Sequence, residues 1–169
     1  MLLRPERPTD VAAIRAILES AFPTPLEAAL VEALRASGRL MISLVAEIEG
    51  GIVGHVAFSP VTAGLAQGGM GLAPLAVHPS YQRKGVGSRL VLAGLDACRA
   101  AGCGFVVVLG SPEYYGRFGF AAAANWQLSD EYGGAPAFQA LELRAGACSV
   151  GPELVQYAPE FAIFAHNTD

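Results

Sequence analysis

Lysine is nearly missing from this chain of 169 residues: Lys84 is the only one. Charged side chains make up 15 %, and tryptophan occurs once, as Trp126. So little charge beside 53 % hydrophobic residues excludes a disordered or solvating chain. Cysteine occurs three times, as Cys98, Cys103 and Cys148, with no C-x-x-C spacing. An odd, scattered set argues against a disulfide framework or a zinc site, and a reducing cytoplasm suits it best. Apolar runs such as Phe105–Leu109 are far too short to cross a bilayer. The start, Met1-Leu2-Leu3-Arg4-Pro5-Glu6, lacks the apolar stretch of a secretory signal, so no leader is expected. Eleven basic against fifteen acidic side chains leave a net charge of −4. No nucleic-acid partner and no membrane are therefore expected, and any basic site must be local. What is present is length for one domain, 1–169, and apolar content enough for a core.

The apolar periods give the element order. Residues 2–4 open a short strand. Thr9 or Asp10 reads as an N-cap, followed by Val11, Ile14, Ile17, Leu18 and Ala21 at helical spacing. Pro23 and Pro25 interrupt, and a second helix runs from Leu26 through Leu34 to a stop at Gly38. Ile42, Leu44, Ala46 and Ile48 then alternate as in a strand, and Glu49-Gly50-Gly51 is a hairpin signal. Residues 52–61 are the return strand, 64–69 a second turn region, and 70–77 a third strand. Pro74 inside that strand marks a bulge, a splay or an edge. Residues 80–87 lead into a helix with Val86, Leu90, Ala93, Ala97 and Ala101 on one face, ended by Gly102 or Gly104. Phe105–Leu109 is a buried strand. Gly110-Ser111-Pro112 opens a short helical turn, and 140–143 and 161–164 read as strands. The order implies a mixed α/β (α+β) sandwich with a mainly antiparallel sheet.

The segment that carries chemistry is Leu75-Ala76-Val77-His78-Pro79-Ser80-Tyr81-Gln82-Arg83-Lys84-Gly85-Val86-Gly87-Ser88. It reads as strand, tight loop and helix start. Glycines at 85 and 87 let main-chain N–H groups approach a ligand with no Cβ in the way. The first-turn N–H groups of a helix lack intrahelical partners, and the helix dipole adds partial positive charge. Together they make a phosphate-type anion seat, flanked by Arg83, Lys84 and Arg89. The dinucleotide fingerprint fails because Leu90 stands where its third glycine should be, and the P-loop fails for want of Gly-Lys-Ser or Gly-Lys-Thr.

The Gln-x-x-Gly-x-Gly pattern of Gln82 to Gly87, directly after Leu75-Ala76-Val77-His78-Pro79, resembles the cofactor motif of the GCN5-related N-acetyltransferase (GNAT) family. Tyr115-Gly116-Arg117-Phe118-Gly119-Phe120 is similar to a second family segment, Tyr-x-x-x-Gly-Phe. The resemblance spans most of the chain, residues 2–119. Gly110 to Tyr115 and the chain ending resemble a bacterial subgroup called YhbS-like. The resemblance implies a GNAT fold with a central, mainly antiparallel, splayed sheet flanked by helices. It implies acetyl-CoA as cosubstrate and no metal. Gln82, Arg83, Lys84, Gly85, Val86, Gly87 and Ser88 would hold the pyrophosphate. Leu75, Ala76 and Val77 would meet the pantetheine arm and the acetyl carbonyl. Tyr115, with Tyr114 second, would protonate the departing thiolate. Val108 stands where the wider family carries an asparagine, and Ser111 is the substitute considered for it.

The implied reaction is attack of an amine on the thioester, with an N–H near Val77 polarising the carbonyl. The strand at 70–77 lacks the family's glutamate base, which leaves His78, Glu47 or His55 as candidates. The alternative reading is a non-catalytic acyl-CoA-binding or sensing domain of the same fold. A scaffold without any nucleotide ligand is a third. His55 and His166 are lone histidines and predict no metal. Phe118 and Phe120 read as packing, and Trp126 either packs a loop or lines the acceptor cleft. The acceptor, a small-molecule or peptide amine, is not specified further, and a homodimer is compatible with base rates.

Overall fold

The computed structural model describes residues 1–167; the side chains of Gln67, His166 and Asn167 lie outside the described set. The expectation about His166 therefore falls outside it too. The chain forms two compact units, one of residues 1–58, 73–94 and 159 onward, the other of Ser59–Leu72 and Leu95–Ala158. Among the described residues no helix is long and apolar enough to cross a membrane.

In the first unit β1 (Leu2–Pro5) pairs antiparallel with β2 (Ile42–Ile48), from Leu2↔Glu47 to Pro5↔Leu44. β2 pairs antiparallel with β3 (Gly51–Ala63) through the expected hairpin. Glu49 and Gly50 both take positive φ there, 50° and 79°, as the tight primed turn requires. Helices α1 (Val11–Ala21) and α2 (Leu26–Ser37) bury the stripes that their periods announce. Ile14, Ile17, Leu18, Ala28 and Val31 pack with Val45, Ala57 and Ala76 of the strands. α2 ends as expected at Gly38, whose φ of 78° lets Arg39 N–H close back on the Leu34 carbonyl at 2.9 Å.

Asp10 is the N-cap residue of α1, as expected, but its side chain makes no cap hydrogen bond, and it also closes a 3-10 turn, Pro8–Asp10. Its carboxylate accepts from Arg7 N–H at 2.7 Å and from the Arg4 guanidinium at 2.7 and 3.1 Å. A paired guanidinium outcompetes a helix N–H for that carboxylate. Residues 161–164 are not a strand but part of a 3-10 helix, Pro159–Asn167. Phe161 and Phe164 stand one turn apart, with ring centroids at 6.3 Å.

The second unit receives the ends of β3 and α3 (Val86–Ala100) and the start of β4 (Ala66–Val77). β4 pairs in parallel with β5 (Phe105–Leu109), from Gly69↔Phe105 to Gly71↔Val107. After the one-turn helix α4 (Pro112–Tyr115) comes β6 (Ala121–Ala122). β8 (Phe138–Glu142) pairs antiparallel with both β5 and β6. β7 (Leu128–Asp130) runs parallel to β9 (Glu153–Gln156), which pairs antiparallel with β3 at Thr62↔Gln156. The fold class is thus mixed α/β with mostly antiparallel pairing. β4 begins earlier than the expected residue 70, because Gly69 is strand interior, where a Cβ would lie 2.2 Å from the Phe105 ring. The α3 stripe is also shifted. Val86, Leu90, Val91, Leu95 and Cys98 are buried, while Ala93 and Ala97 are half-buried and Ala101 is exposed.

Candidate functional site

The first unit gathers the whole segment from Leu75 to Ser88. β4 ends at Val77, and His78 N–H donates to the Val53 carbonyl of β3 at 2.8 Å. Ala76 is buried in the core, with Leu75 and Val77 half-buried on either side, as strand alternation demands. A 3-10 turn, Pro79–Tyr81, follows, and the His78 ring Nδ1 accepts Ser80 N–H at 3.1 Å. The Gln82 amide folds back and donates to the Val77 carbonyl at 3.0 Å. Thus the loop is tied to the strand end before the helix starts.

Arg83 and Gly85 both take positive φ, 62° and 83°. Glycine does so freely, whereas arginine there costs about 1 kcal/mol. The curled loop delivers the chain into α3, whose first bond back to the loop is Arg89 N–H to the Gly85 carbonyl at 3.1 Å. Arg83, Lys84, Gly85 and Arg89 are exposed, Gly87 and Ser88 half-buried, and Val86 is 3 % exposed. The buried valine anchors the helix start while the cations stand in water. Nothing lies within 4 Å of where a Cβ on Gly85 would sit. Open space, oriented N–H groups and three cations suit a diphosphate.

Sequence reasoning missed one residue that sets this helix. Gly54 of β3 faces α3 so closely that a Cβ would sit 2.9 Å from Leu90 Cδ1, 3.0 Å from Val86 Cγ1 and 3.3 Å from the Ala76 carbonyl oxygen. The signal was available, since a lone glycine in a strand marks close approach.

Two base candidates are disposed of differently from what their residue types suggest. His55 is fully buried, its Nε2 2.8 Å from Ser43 Oγ, and burial, with Arg35 nearby, lowers its pKa to about 3. It is neutral but sealed from solvent. Glu47 is paired with Arg4 at 3.0 Å.

Ser111 and Tyr115 belong to the second unit. Ser111 caps α4, its Oγ accepting Tyr114 N–H at 3.4 Å and its carbonyl accepting Tyr115 N–H at 3.0 Å. The Tyr115 ring meets Tyr114 edge-on at 4.9 Å and Phe120 at 5.8 Å. Burial, and to a lesser degree Tyr114, pushes its phenol up to about 12, so it stays protonated and able to donate at neutral pH. Phe120 is core, and Phe118 packs edge-on to Tyr114 at 5.4 Å. Trp126 lines an open hollow of about 320 Å³ with Asn125, Gln127, Ser149 and Gly151. Cys98, Cys103 and Cys148 are free and buried. Burial pushes the Cys98 and Cys148 thiols up to about 12, which makes them poor nucleophiles. Among the described residues no three His, Cys, Asp or Glu side chains gather as a metal set.

The model of the acetyltransferase (GNAT) family matches residues 11–120. The chain is similar to the uncharacterised N-acetyltransferase YhbS of Escherichia coli strain K12, with 41 % identity over 97 % of this chain and 100 % of that protein. Among solved structures it resembles that of the GNAT family N-acetyltransferase YhbS from E. coli in complex with CoA. The TM-score is 0.90 and the identity 40 %, over 95 % of this chain and 91 % of the other. A GNAT family acetyltransferase from Brucella melitensis in complex with acetyl-CoA is also similar, with a TM-score of 0.77 and 39 % identity over 95 % of this chain and 97 % of that one. With its motif segment, its strand pairing and these likenesses in agreement, the chain belongs to the acetyltransferase (GNAT) family.

Proposed function

We propose that residues 1–169 act as one N-acetyltransferase domain that moves the acetyl group of acetyl-CoA to a primary amine of a small molecule or peptide. The amine attacks directly within a ternary complex. Free, buried cysteines favour the reducing cytoplasm as its compartment. The observation that carries the reading is the main-chain path into α3. Positive φ at Arg83 and Gly85 opens onto the first turn of a 15-residue helix, with Arg83, Lys84 and Arg89 exposed around it. CoA in the YhbS structure and acetyl-CoA in the Brucella one add support from similar proteins.

In this reading the main chain of 83–88, with Gln82, holds the diphosphate. Leu75, Ala76 and Val77 align the pantetheine arm, and Ser111 contributes from the turn before α4. Acetyl-CoA supplies an activated thioester. An N–H near Val77 polarises its carbonyl as negative charge develops on the oxygen. As the C–N bond forms and the C–S bond breaks, the attacking nitrogen sheds a proton to water, and Tyr115 donates one to the departing sulfur and recovers one from solvent. Much of the acceleration comes from holding two reactants in one orientation.

The non-catalytic acyl-CoA sensor remains the second reading, favoured by the sealed His55 and the paired Glu47. Calorimetry on the full chain separates these from a plain scaffold. CoA titration is expected to give saturable heat, and a hundredfold excess over Kd to stabilise by about 2.7 kcal/mol. No heat at millimolar CoA overturns both readings. An amine panel then decides between them: the enzyme releases free CoA thiol faster when its acceptor is supplied, and the sensor does not.

A further inference from the structure

We propose that Gln139 is a positioning residue for the Tyr115 phenol, its buried amide pinning the β5–α4 junction on which that ring is seated. The proposal rests on the reading of Tyr115 as the proton donor. Gln139 lies on β8 opposite Val108 of β5 and is 2 % exposed. Its Nε2 donates to the Gly110 carbonyl at 3.2 Å and to the Ala137 carbonyl at 3.3 Å. Ala137 O also accepts Gly110 N–H, at 3.1 Å. One amide thus bridges the residue that leaves β5 and the residue that enters β8. Gly110 is where the ring rests: a Cβ there would sit 2.4 Å from Tyr115 Cε2 and 2.9 Å from Cδ2. The next residue, Ser111, holds Tyr115 N–H through its carbonyl at 3.0 Å. Both the ring and the backbone of Tyr115 therefore hang from the junction that Gln139 clamps.

A buried amide is costly unless its donors are satisfied, and an apolar side chain would fill the same space without that demand. What the amide adds is direction, fixing two carbonyls relative to one another. A proton donor misplaced by an ångström loses much of its effect.

Gln139→Met keeps the volume and removes both donors. Tyr115 titration, followed by NMR of ring-labelled tyrosine, requires no acceptor. In the parent the phenol is held up to about 12. In folded Gln139→Met, with water reaching a loosened turn, it is expected to titrate nearer the ordinary 10. With acetyl-CoA and the best acceptor of the amine panel, kcat is expected to fall about 10-fold, with KM for acetyl-CoA within about twofold. In a Tyr115→Phe background Gln139→Met should add no further loss, as two residues acting as one unit require. Unchanged titration and kcat in a folded variant overturn the proposal, and so does an equal loss in both backgrounds. Full activity of Tyr115→Phe alone overturns instead the assignment of Tyr115 as donor, so the two failures are told apart.

Discussion

The Lys84 ammonium donates to the Ser80 carbonyl at 3.2 Å and stands 5.6 Å from the centre of the Tyr81 ring. The only lysine of the chain is thereby leashed beside the loop that it is read to serve. An exposed ammonium contributes weakly and is screened by salt, whereas main-chain N–H groups are fixed and not screened away. That contrast sets the test at the residue scale. Gly87→Val puts a branched side chain on the first turn of α3, where a phosphate must come close. Calorimetry is expected to give a CoA Kd raised about 10-fold, which is about 1.4 kcal/mol. Lys84→Ala should cost less, and its deficit should shrink as salt rises. If Gly87→Val bound CoA as the parent does, the seat would be misplaced.

At the scale of the element, α3 is positioned by what β3 lacks. Gly54 leaves room for Leu90 and Val86, and Gly94 leaves room for the Phe58 ring, which a Cβ would meet at 2.3 Å. The helix start is therefore set by close packing on a strand as well as by its own loop. Gly54→Ala must push Leu90 or Val86 aside, and its methyl also meets the Ala76 carbonyl oxygen at 3.3 Å. Overpacking of this kind typically costs about 1–3 kcal/mol. Denaturant unfolding should show that loss, and CoA affinity should fall with it, because the first turn shifts as a body. A variant that lost stability but kept full affinity would uncouple the helix start from its packing on β3. The seat and its flanking strand were legible in the sequence because glycine spacing, cations and a helix start are all local signals. Gly54 was legible only as a lone strand glycine. Gln139 carried no signal, since nothing local tells a buried amide from a solvent-facing one. The short strands β6, β7 and β9 escaped because two to four residues are too few to show a period.

For the molecule as a whole, what the sequence could not announce are the partners that distant segments find. Arg4 pairs with Asp10 and Glu47, and Arg39 grips Glu160 from 121 residues away, its Nε 2.9 Å from both carboxylate oxygens. That grip ties the C-terminal 3-10 helix to the end of α2, where a strand had been expected. It also makes acid stability a readout of the fold. Arg39 holds the Glu160 carboxyl down from 4.5 to about 2, and Arg4 does the same for Asp10, from 3.8 to about 2. Both folded values are depressed, so each carboxylate contributes fully above its unfolded value. That contribution is lost as pH falls through the window from about 4.5 to about 2, where the folded state must take up protons against its ion pairs. Urea midpoints measured from pH 7 down to 2 should therefore fall steeply below pH 4.5 in the parent. Glu160→Gln removes one of the two groups. It is expected to start lower at pH 7, since Arg39 loses its counter-charge, and to decline less steeply, so that the two curves converge at acid pH. Arg39→Ala should flatten the same limb by returning Glu160 toward its ordinary value. Curves that ran parallel over the whole range would mean that the Arg39–Glu160 pair contributes nothing to stability in solution.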